Sequence, residues 1–231
     1  MIFFDLDDTL LDHKTAANGA ARQFYERYSG RLPYSQGEFL ALWDRLAEKY
    51  VDAYLRGDIG WDDQRRMRIR DVFQPFEPSL SNDEVDIRFG YYRRAYEDNW
   101  ALFADVGPCL EALCDQPLGI ITNGSVSQQN KKLRNLGIRD HFKTVVISEA
   151  VGSSKPDARI FMESCRLAGT RPQDCVYVGD RLDTDARASS AVGMTGVWIN
   201  RHHDEKAAGS SGVAVIRSLD ELPGLVQELQ R

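Results

Sequence analysis

From about residue 102 onward the sequence alternates short apolar runs with amphipathic stretches, and this limits the chain to very few folds. The runs "LGIITN", "KTVVIS", "CVYVGD", "TGVWIN" and "VAVI" are rich in Val and Ile, with helical patterns between them. Near-continuous apolar strands separated by helices mean a parallel sheet covered on both faces. Residues 2–6 have the same strand character and belong to that sheet. Residues 15–100 instead read as helix throughout. Ala17, Ala21, Phe24 and Tyr28 share one face of a first helix. Phe39, Leu42, Trp43, Leu46, Tyr50 and Tyr54 point inward from a long second one. A third runs from about Trp61 to Phe73, and Ser81 with Glu84 opens a fourth as a capping box. The pattern indicates an α/β chain with a core domain, residues 1–13 and 102–231, and an all-helical domain, 14–101, inserted after the first strand.

At 231 residues with a formal net charge of −6, the chain gives no support for a nucleic-acid polymer or a membrane as partner. The N-terminal stretch is acidic where a signal peptide is basic, so cytoplasmic localisation is the expectation. Cys109, Cys114, Cys165 and Cys175 show no CxxC spacing and read as small core residues. With His13, His141 and His202–His203 scattered, a zinc site is not expected.

The stretch "FFDLDDTLLD" sets Asp5, Asp7, Asp8 and Asp12 directly behind a buried strand. Clustered carboxylates repel, and burying them unpaired is costly unless a cation or a reaction uses them. In a parallel sheet, ligands bind beyond the carboxyl ends of the strands. The strand exits carry Asp5 and Asp7, then "TNGS" from Thr122 to Ser125, then Lys155 in "SEAVGSSKP", then Asp180 in "GDRLDTD". Carboxylate oxygens with open water positions suit Mg²⁺. Thr122 and the amides of Asn123 and Gly124 precede a helix N-terminus and suit an anion, and Lys155 adds a point charge for phosphate. Together these groups fit a transferring phosphoryl group.

"DLDDTL", "ITNG", Lys155 in "SSKPD" and "GDRLDTD", in that order, resemble the four motifs of the haloacid dehalogenase-like hydrolases. The resemblance implies a Rossmann-like core with a C1 helical cap that closes over the site. It implies Asp5 as nucleophile and metal ligand. Asp7 is then the general acid/base, with its backbone carbonyl on the metal, and Asp180 is the third metal ligand. Thr122, Asn123, Gly124 and Lys155 hold the phosphoryl group. Asp185 and Thr9 support them. Because Asp7 is present, the chain looks like a phosphatase rather than a dehalogenase. "WINRHH" and the core strands look like the pyrimidine 5′-nucleotidase branch. The expectation is an Mg²⁺-dependent phosphatase of a small phosphorylated metabolite such as a nucleoside 5′-monophosphate, acting as monomer or homodimer. Alternatives are a sugar-phosphate or phosphoglycolate phosphatase, a phosphomutase, a 2-haloacid dehalogenase, or a binding protein that keeps the fold.

Several residues carry a plainer reading. Asp8 and Asp12 are expected to be solvated or capping. Arg65, Arg66, Arg68 and Arg70 are expected to pair with Asp62, Asp63 and Asp71 on a wet surface, while Trp61 and Met67 pack the bundle, in a stretch expected to border the pocket. "RHHDE" reads as loop and "KKLRN" as a solvated helix face.

Overall fold

The computed structural model describes residues 1–201 and 212–229, so the His202–His203 pair lies outside the described residues. The chain divides into two compact units, one of Met1–Asp12 with Ala101–Arg231 and one of His13–Trp100.

The first unit is built on six parallel strands: β1 (Ile2–Phe4), β2 (Leu118–Thr122), β3 (Thr144–Ile147), β4 (Val176–Gly179), β5 (Thr195–Ile199) and β6 (Ala214–Ile216). Their order across the sheet is β3-β2-β1-β4-β5-β6. Every residue of β1 and β2 is buried, as strands covered on both faces require. Helices α5 (Val106–Ala112), α6 (Val126–Asn135), α7 (Ser148–Val151), α8 (Ala158–Ala168), α9 (Ala188–Ala191) and α10 (Leu222–Leu229) are interspersed among the strands or follow them, α7 and α8 both lying between β3 and β4. Phe161 of α8 meets Tyr177 of β4 edge to face, with centroids 5.3 Å apart. Before α9 the chain makes a wide turn over Leu182–Arg187, which lies against β5. That approach needs Gly196, where a β-carbon would stand 2.0 Å from the carbonyl oxygen of Ala186.

Cys109, Cys165 and Cys175 are buried as expected, but Cys114 is exposed. It follows the last turn of α5, past the point where the helix has an inner face.

The second unit contains α1 (His13–Tyr28), α2 (Gln36–Leu55), α3 (Trp61–Phe73) and α4 (Asn82–Asp98). Ser35 with Glu38 and Ser81 with Glu84 form reciprocal capping boxes at the starts of α2 and α4. Their core is aromatic: Phe24 lies 5.2 Å from Trp43 and 5.9 Å from Phe39 between ring centroids. The α3 face differs from its expected orientation by one residue. Met67 is exposed, whereas Arg68 is buried with its guanidinium 4.6 Å from the Trp43 ring. Arg66 makes a two-point pair with Asp86 of α4 instead of with a neighbour on its own helix. Arg65 does contact Asp62, at 3.3 Å. No helix among the described residues is long and apolar enough to cross a membrane.

Candidate active site

β1 lies between β2 and β4, so the chain switches direction across the sheet at its exit. Phe4 is level with Ile120 and with Val178, and the Asp5 amide donates to the Val178 carbonyl at 2.8 Å. Asp5 therefore emerges where β2 ends in Thr122 and β4 runs on to Asp180. The pairing register alone converges three of the sequence motifs.

Lys155 joins them. Its buried Nζ lies 2.7 Å from Oδ1 of Asp5 and 2.7 Å from Oδ1 of Asp185, and donates to the Tyr177 hydroxyl at 2.8 Å. An ammonium has three hydrogens, and these three acceptors use all of them. Burial alone would push Lys155 down, but the carboxylates of Asp185 and Asp5 outweigh it and hold the ammonium above its ordinary range. Asn123 fixes the Lys155 backbone, accepting from its amide at 2.8 Å and donating to its carbonyl at 3.0 Å. The Asn123 side chain thus ties the second motif to the third.

Asp185 is almost fully buried, and its Oδ2 accepts from the Arg181 amide at 3.0 Å. The Asp180 carbonyl accepts from Trp198 Nε1 at 2.7 Å, and Thr9 Oγ1 stands 3.5 Å from Asp180 Oδ1. Oxygens of Asp5, Asp180 and Asp185 all lie within 4.8 Å of one another. Burial pushes the Asp180 carboxyl up to about 8, with Asp5, Asp185 and Asp8 adding to it. Burial likewise lifts Asp5 to about 7, against the pull of Lys155 and with Asp185 reinforcing the rise. Three hard oxygen donors with more negative charge than one ammonium offsets fit a divalent metal ion. The side-chain oxygens that converge are those of Asp5, Asp180 and Asp185; the part expected of Asp7 is its backbone carbonyl, and Asp185 is expected to support the ligands.

The Asp7 side chain engages a different set of groups. Lys132 Nζ lies 2.6 and 2.8 Å from its two oxygens, and Gln129 Nε2 donates to Oδ2 at 2.9 Å. Gln129 Nε2 also reaches Thr122 Oγ1 at 2.7 Å. "KKLRN" is therefore not a solvated face throughout, because Lys132 is buried. The Gly124 amide, expected to face an anion, donates to Ser148 Oγ at 2.9 Å.

Gln129, Lys132, Tyr177 and the Asn123 side chain escaped the sequence reading. For the first two a signal existed. Ser125, Gln129, Lys132 and Leu133 recur at helical spacing and form the buried stripe of α6. Periodicity judged on apolar residues alone passes over a stripe made largely of polar ones.

A model of the family described as haloacid dehalogenase-like hydrolase matches residues 1–193. The chain belongs to that family. Among curated relatives, it is 32% identical over 209 residues to the glyceraldehyde 3-phosphate phosphatase of Methanopyrus kandleri, covering 87% of this chain and 83% of that protein. It is 37% identical over 110 residues to the pyrimidine 5′-nucleotidase YjjG of Escherichia coli, covering 47% of this chain and 49% of that one. Among solved structures, the HAD-hydrolase YfnB of Bacillus subtilis, described as bound to magnesium, superposes with a TM-score of 0.81 at 24% identity. That superposition covers 98% of this chain and 97% of the other, and the likeness is one of fold.

Proposed function

We propose that this hydrolase cleaves small phosphate monoesters through an aspartyl phosphate formed on Asp5. The observation that carries the reading is the Asp5–Lys155–Asp185 chain, a nucleophile held by a buried ammonium beside a carboxylate group suited to a dication. Asp5 attacks phosphorus, and the ester bond to the leaving oxygen breaks as Asp7 gives that oxygen a proton. Water then attacks phosphorus, Asp7 takes a proton from it, and the bond to Asp5 breaks. Lys155 and the Thr122 hydroxyl hold the phosphoryl oxygens, with the Asn123 amide beside them. Mg²⁺ would be held by Asp5, Asp180 and the Asp7 carbonyl, with Asp185 supporting Lys155; when bound it supplies charge stabilisation to the phosphoryl oxygens.

For the substrate, two readings have separate support. The pyrimidine 5′-nucleotidase likeness favours a nucleoside 5′-monophosphate, but it spans 47% of the chain. The glyceraldehyde 3-phosphate phosphatase likeness spans 87% and favours a short sugar phosphate. The test is phosphate release from nucleoside monophosphates and from triose and hexose phosphates, with Mg²⁺ and with chelator, using Asp5→Asn as blank. Metal-dependent release that vanishes in the variant supports the mechanism, and the preferred ester selects between the substrates. Release that survives in Asp5→Asn overturns it.

A further inference from the structure

Gln129 and Lys132 lie outside the four motifs, yet both are buried and both reach Asp7. Lysines on helices ordinarily extend their ammonium into water. The Lys132 side chain is only 3% exposed, and its ammonium lies 2.6 and 2.8 Å from the two oxygens of the Asp7 carboxylate. Gln129 Nε2 has short contacts to Asp7 Oδ2 and Thr122 Oγ1, at 2.9 and 2.7 Å, and a longer one of 3.3 Å to the Asn123 carbonyl. An amide nitrogen has two hydrogens and accepts none. The short contacts therefore direct one hydrogen to Asp7 and the other to Thr122. The Thr122 hydroxyl accepts from Gln129 and gives its own hydrogen, in a long contact of 3.4 Å, to the Asn123 carbonyl.

We propose that Gln129 and Lys132 are positioning residues that fix the Asp7 carboxyl for proton transfer at the leaving oxygen. This role rests on the phosphatase reading above. The bonds made and broken are those already given, and the pair adds no reactant. The ammonium and the amide both bond the Asp7 carboxylate, and the amide also bonds the Thr122 hydroxyl. Displacement of either anchor leaves nucleophilic attack by Asp5 in place and weakens protonation of the leaving group.

That distinction can be measured. An alkyl phosphate needs a proton on its leaving alkoxide, whereas p-nitrophenyl phosphate expels a stable phenolate without one. In Lys132→Met and in Gln129→Leu, kcat/KM for the alkyl ester is expected to fall about tenfold further than for the aryl ester. Lys132→Arg, which keeps a cation, is expected to recover part of that ratio. In an Asp7→Asn background, Lys132→Met is expected to leave the ratio unchanged, because the lysine acts through Asp7. Equal losses on both esters overturn the proposal, as does a further shift of the ratio in that background. If Lys132→Met does not fold, Gln129→Leu and Lys132→Arg give the same comparison with the cation retained. A wild-type protein that hydrolyses neither ester removes the phosphatase reading and this role with it. A wild-type protein active on both, with an unchanged ratio in the variants, removes only this role.

Discussion

A β-carbon on Gly179 would stand 2.4 Å from Cγ of Asp185, so the last residue of β4 lacks a side chain where the aspartate fills the space. Gly179→Ala must push that carboxylate away or bend the strand. Overpacking of this kind costs about 1–3 kcal/mol. Because Asp185 also holds Lys155, phosphate release is expected to fall with stability. Urea denaturation alongside a phosphate assay checks both, and a variant matching the wild type in each contradicts the steric account.

Lys155 is in contact with two buried carboxylates, Asp5 and Asp185. Lys155→Met keeps the stem but leaves both acids without their partner. Removing one member of a buried pair costs about 3–5 kcal/mol. Loss of a charge that steadies a transferring phosphoryl group lowers kcat by about 10²–10³. Equilibrium unfolding and steady-state kinetics give the two magnitudes separately.

The fold was legible because the parallel strands are short, apolar and regularly separated by helices. The positions of Asp5, Thr122, Lys155 and Asp180 followed from reading the residue at each strand exit. What escaped was side-chain direction. Lys132 and Met67 each sit in a helix whose apolar stripe is thin, so a charged residue turned inward and an apolar one outward. Arg68 is buried on the faces of Trp43 and Tyr92, an attraction that hydropathy does not register. Tyr177 looked like any strand aromatic, and only its contacts with Lys155 and Asp185 reveal its place in the site.

A divalent cation is expected to stabilise this protein more at pH 8 than at pH 6. Without one, burial and like charge raise Asp180 to about 8, and burial raises Asp5 to about 7, from an ordinary 3.8. The folded chain then holds protons that the unfolded chain has already lost. The contribution of these groups is full below the unfolded value and disappears as pH rises through the folded values. A cation replaces the protons and opposes that loss, whereas at lower pH protons compete with it. Thermal melting with Mg²⁺ or chelator at the two pH values checks this. A shift of equal size at both sinks the idea that Asp5 and Asp180 share a cation.

The loop carrying Asp7 and Thr9 is also secured from Asp105, far from it in sequence. Both Nη atoms of Arg201 donate to Asp105, at 2.8 and 3.0 Å, and Nη2 donates to the Thr9 carbonyl at 2.9 Å. Asp105 further accepts from Ser218 Oγ at 2.9 Å and the Leu219 amide at 2.8 Å. Burial would lift the Asp105 carboxyl, but Arg201, the Leu219 amide and Ser218 outweigh it and hold it below its ordinary range. A depressed carboxyl contributes stability that is present above the unfolded value and lost as pH falls through the lower folded one. Asp105→Asn keeps the shape and removes the charge, so it is expected to cost about 2 kcal/mol at pH 7. That gap should close as pH falls through the lowered folded value, below which the wild-type aspartate is itself protonated. Urea midpoints at pH 7 and in acid measure it. A gap that persists undiminished in acid would mean that Asp105 acts through shape alone.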